Sequence, residues 1–337
     1  MATYPSLTPS EALPGPLLPP VTCREDGVPR QCGVELEFAG LEPPAIARVV
    51  QSLYGGRVEV EHEHRARVRD TRLGDFRVEL DMLAAHPDSK GAEVATALDK
   101  LEQRLRATVG DVGSFVLPYE VACPPVALAD LAELDPLATA LQQAGAKGTD
   151  ARFFYAFGLH FNPEVARRDG DHILDVLKAY LLLSPWLREE MDIDTARQVA
   201  PFVQRFPEEY AALVVGPSYR PGLAELARDY VRHSPSRNRE LDLWPLLTLL
   251  VPGEMSTGKA SDPHVKPRPT WHWRLPDSRV GTPGWSILPD WNRWVQVERL
   301  ATDRWALDEL GALWLDCRRS GVLEDWPRLV RRWLPPV

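Results

Sequence analysis

The chain has 337 residues, of which 44% are hydrophobic and 26% are charged, and its formal net charge is −9 at pH 7. These values are typical of a soluble globular protein with either one large domain or two packed halves. A negative surface disfavours nucleic acid and anionic membranes as partners. Because the sequence has neither an apolar run of about 18 residues nor a basic stretch followed by an apolar block at its N-terminus, we expect no membrane span, no signal peptide and a cytoplasmic location.

Proline content separates the start of the chain from the rest. Residues 1–30 are rich in proline and show no hydrophobic periodicity, so we expect an extended or disordered lead-in. Residues 31–337 carry strand and helix patterns that predict one domain, with a helical insertion around residues 165–255.

The first strong pattern is a short strand that carries two carboxylates. Residues 33–38 alternate apolar side chains with Glu35 and Glu37. Since successive side chains of a strand point to opposite faces and the rise is ~3.3 Å per residue, both glutamates share one face, about 6.6 Å apart at Cα. That spacing suits two divalent cations. A half-buried strand with a solvated outer face is the alternative for such a run taken by itself.

Hydrophobic periodicity predicts the remaining elements in chain order. The first half contains a helix from Pro44 to the Gly55-Gly56 pair, a hairpin of strands over 58–68 and 76–82, a helix over 90–109, a strand over 115–122, a helix over 135–143 and a strand over 153–162. The second half contains helices over 171–206, 222–233 and 241–251, a loop over 254–269, a strand over 270–275 and a long helix after Trp291. We therefore expect an α+β fold with a curved antiparallel sheet and a helical layer.

Five of these strands place an apolar face opposite a face with metal-binding or phosphate-binding side chains. The polar sets are Glu35 with Glu37, Glu79 with Asp81, Glu120, His160 with Asn162, and His272 with Arg274. An antiparallel sheet that bends over a helical layer would collect them on one concave surface. Buried carboxylates repel one another unless cations lie between them, so this arrangement predicts a metal site.

Six short segments, met in the same order, resemble the amidoligase family. This family is a branch of the carboxylate-amine ligases, whose catalytic fold is similar to that of glutamine synthetase. The segments are Gly33–Phe38, Tyr119–Pro125, Gly158–Asn162, Ser236–Asp242, Arg268–Asp277 and Trp291–Glu298. The resemblance covers roughly residues 33–317 and implies that residues 31–337 form the catalytic domain.

The resemblance also implies an activity and a set of site residues. The implied reaction is ATP-dependent formation of an amide or isopeptide bond through an acyl phosphate, with Mg²⁺ bound by the protein. The implied metal ligands are Glu35, Glu37, Glu120, His160 and His272, and the two glutamates of the first strand would bind different ions. The resemblance implies that Arg274 stabilises the transferring phosphoryl group, and Glu120 is a further catalytic residue. For the general base that the amine needs, the candidates are Asp81 and Glu79, of which we include Asp81 among the catalytic residues. The implied nucleotide contacts are Arg237, Arg239, Arg274, Arg279 and Asn162.

Two positions depart from the pattern that the resemblance implies. The family usually has a second histidine where this chain has Asn162, and relatives of glutamine synthetase carry an acidic residue where this chain has His272. The metal set therefore differs from the usual one, which leaves open a site that accepts Mn²⁺ and also the loss of one metal.

The resemblance leaves the substrates and two rival functions open. The carboxylate and amine substrates are small molecules or peptides, and the chain forms a monomer or a homo-oligomer. A phosphotransferase of the same fold would stop after phosphorylating its substrate. An inactive relative would act as an interaction module, an alternative that the departures at Asn162 and His272 favour.

Overall fold

A computed structural model describes residues 15–80, 119–149, 157–194, 197, 203–256 and 265–334. In these residues the chain is a mixed α+β structure with a seven-stranded antiparallel sheet, so the predicted fold class is confirmed at that level. The strands are β1 (Gln31–Phe38), β2 (Arg57–His62), β3 (Arg65–Thr71), β4 (Gly74–Leu80), β5 (Tyr119–Ala122), β6 (Val126–Ala127) and β7 (Leu159–Pro163).

The described residues form ten α-helices. They are α1 (Pro43–Tyr54), α2 (Asp135–Gln143), α3 (Gly170–Glu190), α4 (Glu208–Val215), α5 (Leu223–His233), α6 (Trp244–Leu250), α7 (Pro252–Met255), α8 (Leu288–Ala301), α9 (Arg304–Arg319) and α10 (Trp326–Val330). Short 3₁₀ helices occupy Leu128–Leu134, Leu323–Asp325 and Arg331–Trp333. Within this described part, no helix combines the length and the apolarity that a membrane crossing requires.

Strand β1 lies in the middle of the sheet and pairs along both edges. The strand order is β2-β3-β4-β5-β1-β6, with β7 also paired to β1. Leu36 is opposite Val121 of β5 and also opposite Leu159 of β7, so these two strands lie on opposite edges of β1. The apolar side chains Val34, Leu36 and Phe38 are all buried, and their alternation with glutamates is the reason why this strand has one face in the core.

Two helical groups cover the apolar surfaces. Helix α1 packs on β2, β3 and β4, and Tyr54 at its end stacks on Phe76 with ring centroids 5.0 Å apart. Proline at its start and Gly55 after its end fit the preferences of helix termini, which is why this helix was predictable from sequence. Helix α3 is buried over most of its length and contacts α4, α5, α8, α9 and α10. Trp273 and Trp294 pack together beneath the sheet.

Several predicted elements are corrected by the structure. The predicted strand over 58–68 is two strands, β2 and β3, which are joined by a tight turn at residues 63–64. The predicted helical stretch over 171–206 contains α3, which ends at Glu190, and residues 195–196 and 198–202 of the stretch lie outside the described residues. The long helix predicted after Trp291 is interrupted at Asp303, whose carboxylate accepts a hydrogen bond from the backbone of Ala306 and so starts a second helix.

The predicted strand over 270–275 is extended but is held by isolated bridges. The backbone N–H groups of Trp271 and Trp273 donate to the carbonyls of Pro163 and Phe161, each at 2.9 Å, and this segment runs antiparallel to β7. Residues 81–118, which contain the predicted helix over 90–109 and the first part of the strand over 115–122, lie outside the described residues. The described residues also exclude 150–156, which contain the start of the predicted strand over 153–162, and 257–264, which belong to the predicted loop over 254–269.

Residues 15–30 pack on the helical layer, and Arg30 forms a buried ion pair there. The Leu17 carbonyl accepts a hydrogen bond from the indole of Trp291 at 2.8 Å. The Arg30 guanidinium donates to both carboxylate oxygens of Glu298, at 2.7 and 2.8 Å, and the two side chains are 0% and 5% exposed. This bidentate pair ties the start of β1 to α8.

We expect Glu298→Ala to lower the free energy of unfolding by about 3–5 kcal/mol, because it leaves the buried Arg30 charge without its partner. Asp316→Ala, which breaks an exposed pair with Arg319, should cost less than about 1 kcal/mol. Urea unfolding followed by far-UV circular dichroism measures both. Equal losses for the two variants would show that Arg30 finds other compensation.

Candidate metal centre

The register of three strands brings four predicted site residues together. Glu35 lies opposite His160 across β1 and β7, and Glu37 lies opposite Glu120 across β1 and β5. The ligand atoms of Glu37, Glu120 and His160 fall within 4.8 Å of one another, and so do those of Glu35, His160 and His272. The predicted convergence of these side chains on one surface is thus what the structure shows, with His160 common to both groups.

His160 lies between the two glutamates of β1. Its Nδ1 is 3.0 Å from Glu35 Oε2, and its Nε2 is 3.2 Å from Glu37 Oε1. Burial lowers the pKa of the imidazole to about 4, against the opposing effect of the Glu35 carboxylate. His160 is therefore neutral near pH 7, which is the form that binds a metal ion.

A neutral imidazole carries one N–H and one lone pair. His160 donates its proton to one of the two carboxylates, and its other nitrogen presents a lone pair to a carboxylate oxygen at about the same distance. Two groups of negative character in contact are repulsive in a buried site unless a cation lies between them. The donor atoms thus fit a bound divalent cation, and the residues that would hold it are those of the two groups.

Gly158 holds Glu37 and leaves room for two nitrogen-bearing side chains. Its N–H donates to Glu37 Oε2 at 2.6 Å, and its carbonyl accepts from the Glu37 backbone at 3.0 Å. A Cβ at this position would lie 2.6 Å from His160 Nε2 and 2.9 Å from Arg197 Nη1. The missing side chain therefore allows His160 and Arg197 to approach Glu37.

Asn162 joins Glu35 to His272. Its amide nitrogen donates to Glu35 Oε1 at 3.1 Å, and its Oδ1 lies 2.8 Å from His272 Nδ1 and accepts from Arg268 at 2.9 Å. Burial by itself raises the pKa of the Glu35 carboxyl, but the hydrogen bond with His160 and nearby positive charge such as Arg268 hold it well below its usual range. Burial and the Arg268 charge lower the pKa of His272 well below its ordinary value, so this imidazole is neutral as well.

A comparison with protein families agrees with this geometry. The family described as putative amidoligase enzyme matches residues 28–296, which is well over half of the chain and includes every member of the two groups. The chain belongs to this family. Searches of curated proteins and of solved structures found no match.

The arginines that the family resemblance implies have different surroundings. Arg274 is buried and close enough to His160 for its charge to contribute to the low pKa of that imidazole. Arg274 also donates to the Arg237 carbonyl at 3.0 Å, which brings the predicted 236–239 turn against it. Arg239 donates to the Ser234 hydroxyl and the Arg205 carbonyl, and Arg279 donates to the Asp192 carbonyl. Asp81, predicted as catalytic, lies outside the described residues of this amidoligase-family chain.

Two residues of the centre were not predicted. Arg268 contacts both Asn162 and His272, but it lies in the predicted loop before the strand, where alternation predicts no face for its side chain. Arg197 is buried, pairs with Asp277 at 2.9 Å and donates to the Arg274 carbonyl at 2.6 Å. Nothing in the local pattern around Arg197 distinguishes it, because its role depends on contacts distant in sequence.

Gly158→Ala should weaken binding of Mn²⁺ to the centre by at least about tenfold, because the added methyl displaces His160 and Arg197 from Glu37. Gly33→Ala is the matched control in the neighbouring strand, where the closest atom to an added Cβ is 3.7 Å away. Isothermal titration calorimetry of the full chain measures both affinities. If both variants bound Mn²⁺ as the wild type does, the role of Gly158 in keeping His160 in place for the cation would be wrong.

Proposed function

We propose that this protein is an ATP-dependent carboxylate-amine ligase that forms an amide or isopeptide bond through an acyl phosphate. The observation that carries the proposal is the buried His160 imidazole, which faces two carboxylates with a single N–H, an arrangement that a cation beside it would stabilise. Membership of the amidoligase family supports amide-bond formation as the reaction class. Together they favour a metal-assisted ligase over an inactive relative that would retain the fold without its charges.

We also propose that the fold is that of the glutamine synthetase catalytic domain. The support is architectural, because an antiparallel sheet presents carboxylates and imidazoles from β1, β5, β7 and the 270–275 segment on one face and packs its other face against helices. The chemistry of the proposed reaction needs such a surface. It must hold a nucleotide's phosphates and a second substrate within reach of the same cations.

The residues that would hold the cations are Glu35, Glu37, Glu120, His160 and His272. Bound Mg²⁺ would neutralise the phosphate oxygens of ATP and polarise the γ-phosphorus toward attack by the substrate carboxylate. The protein groups position these charges. Asn162 orients Glu35, and the Gly158 N–H orients Glu37.

Arg274 is the arginine that best fits the transferring phosphoryl group. It is buried beside His160, where a fixed positive charge would stabilise the charge that develops during transfer. Arg239 and Arg279 already donate to protein oxygens, so their contacts fit structural roles better than nucleotide binding. Arg237 pairs with the buried Asp242 at 3.5 Å and keeps its backbone carbonyl on Arg274.

The second step requires an amine that displaces phosphate from the acyl phosphate. Asp81 stays the predicted general base for that amine. The proposed substrates are small-molecule or peptide carboxylates and amines in the cytoplasm. An acyl-phosphate route has a definite signature, since hydroxylamine in place of the amine yields a hydroxamate.

With ATP, Mg²⁺ and pooled acids and amines, the wild type should release ADP and phosphate only when both substrates are present. Glu37→Gln should lower kcat/KM by about 10²–10³-fold, because it removes a carboxylate that would neutralise cation charge at the phosphates. Glu208→Gln, in an exposed pair with Arg318, is the control and should leave kcat/KM unchanged.

Product analysis by mass spectrometry decides between the rival functions. A phosphorylated acid or guanidine that accumulates without an amide would favour a phosphotransferase. Absence of metal-dependent ATP binding in calorimetry would favour the inactive interaction module and contradict the ligase proposal.

A further inference from the structure

We propose that the centre has two chemically different cation positions. The position formed by Glu35, His160 and His272 takes a transition-metal ion of the Mn²⁺, Co²⁺ and Zn²⁺ class, and the position formed by Glu37 and Glu120 takes Mg²⁺. The role of these ions in catalysis rests on the proposed function. Their identity is a property of the protein's donor atoms and is tested on binding alone.

The first step concerns how His160 is shared. A neutral imidazole has one lone pair, so it completes only one of the two groups that contain it. When Nε2–H donates to Glu37 at 3.2 Å, the lone pair is on Nδ1, which lies 3.0 Å from Glu35. The proton on Nε2 then makes Glu37 the outer partner that orients the ring, an arrangement common for histidines that bind metals.

The second step concerns the tautomer of His272. Asn162 Oδ1 can only accept, and it lies 2.8 Å from His272 Nδ1, so this nitrogen carries the proton. Arg268 Nη2 donates to the second lone pair of the same oxygen at 2.9 Å, and its longer 3.2 Å approach to His272 Nδ1 is then a contact without a hydrogen bond. His272 therefore keeps its lone pair on Nε2. Each imidazole of the first position therefore has one nitrogen whose lone pair can bind the cation.

The third step is the orientation of the carboxylate. The amide nitrogen of Asn162 donates to Glu35 Oε1 at 3.1 Å, which leaves Oε2 beside His160 as the ligand atom. Asn162 thus fixes both Glu35 and His272, which lie on different segments. A side chain with one acceptor and one donor group on the same carbon is what this double contact requires.

The donor sets then determine the ions. Two neutral imidazoles and one carboxylate supply a single negative charge, and imidazole nitrogen favours transition metals over Mg²⁺, which prefers oxygen ligands and gives up its water reluctantly. The positive charge of Arg268 beside His272 repels any cation, and this disfavours Mg²⁺ most because Mg²⁺ gains little from imidazole nitrogen. Glu37 and Glu120 offer only oxygen ligands, with Glu79 opposite Glu120 in the next strand. That set suits Mg²⁺.

The test is a titration of the metal-free full chain with Co²⁺, followed by visible absorption, without ATP or substrates. We expect one equivalent of Co²⁺ to bind with nitrogen-ligand absorption bands and to stay bound in about 1,000-fold excess Mg²⁺. Displacement of Co²⁺ from the wild-type protein by Mg²⁺ at comparable concentrations would contradict the inference without any variant.

Variants assign the bands to residues. His272→Asp should lower Co²⁺ affinity by about 100-fold or more and raise the relative affinity for Mg²⁺, and Asn162→Ala should lower Co²⁺ affinity by about 10–100-fold. Glu120→Gln, outside the first position, should leave the Co²⁺ spectrum unchanged and weaken Mg²⁺ binding in calorimetry. Thermal unfolding confirms that each variant is folded. A Co²⁺ spectrum unaffected by His272→Asp, or lost with Glu120→Gln, would contradict the assignment.

The inference and the ligase proposal fail separately. Displacement of Co²⁺ by Mg²⁺ at comparable concentrations, in a protein that forms the amide with Mg²⁺ as the sole metal, would refute the two-metal assignment and support the ligase. Tight Co²⁺ binding that needs His272, in a protein that turns over no ATP with any tested acid and amine, would support the assignment and count against the ligase.

Discussion

The contact of His160 with both glutamates of β1 is the interaction on which the centre depends. Two carboxylates on one face of a strand repel each other, and burial strengthens the repulsion because little water is left to screen it. The pairing register of β7 with β1 places an imidazole between them, with a nitrogen toward each. A shift of one residue in that register would turn His160 to the opposite face and remove the imidazole from between the carboxylates. The geometry of the centre therefore depends on the pairing of the strands. At this point of the sheet, an additional proton or a cation must compensate the charge of the two carboxylates.

Strand β1 links this centre to the stability of the fold. Its apolar side chains form part of the core, and its glutamates form the centre, so the same alternation serves both. At the start of the strand, Arg30 is fixed to α8 through Glu298, which restricts how β1 can slide against its neighbours. The tryptophans of the 270–275 segment pack into the core and turn His272 and Arg274 toward the glutamates. Packing of the apolar face of the sheet thus determines the distances between the polar side chains on the opposite face.

How much of this could be read from the sequence follows from the range of each interaction. Alternation within a strand is local, so the face that carries Glu35 and Glu37 and the faces that carry Glu120, His160 and His272 were all predictable. The helix from Pro43 to Tyr54 was predictable because its end signals are local too. The register that joins Glu35 to His160 spans more than a hundred residues, and Arg197 reaches the centre through Asp277. Such contacts leave no local periodicity. The break at Asp303 was missed because an apolar stripe continues across it, and a single capping side chain decides the interruption.

Asn162 and His272, the two positions at which the sequence resemblance implies other residues, lie in contact. Taken separately, Asn162 lacks an imidazole and His272 lacks a carboxylate, and each looks like the loss of a metal ligand. In the structure Asn162 Oδ1 lies 2.8 Å from His272 Nδ1 and its amide nitrogen donates to Glu35, so the asparagine positions the histidine and the glutamate together. The two residues therefore act as one unit, in which the amide of Asn162 orients the imidazole of His272.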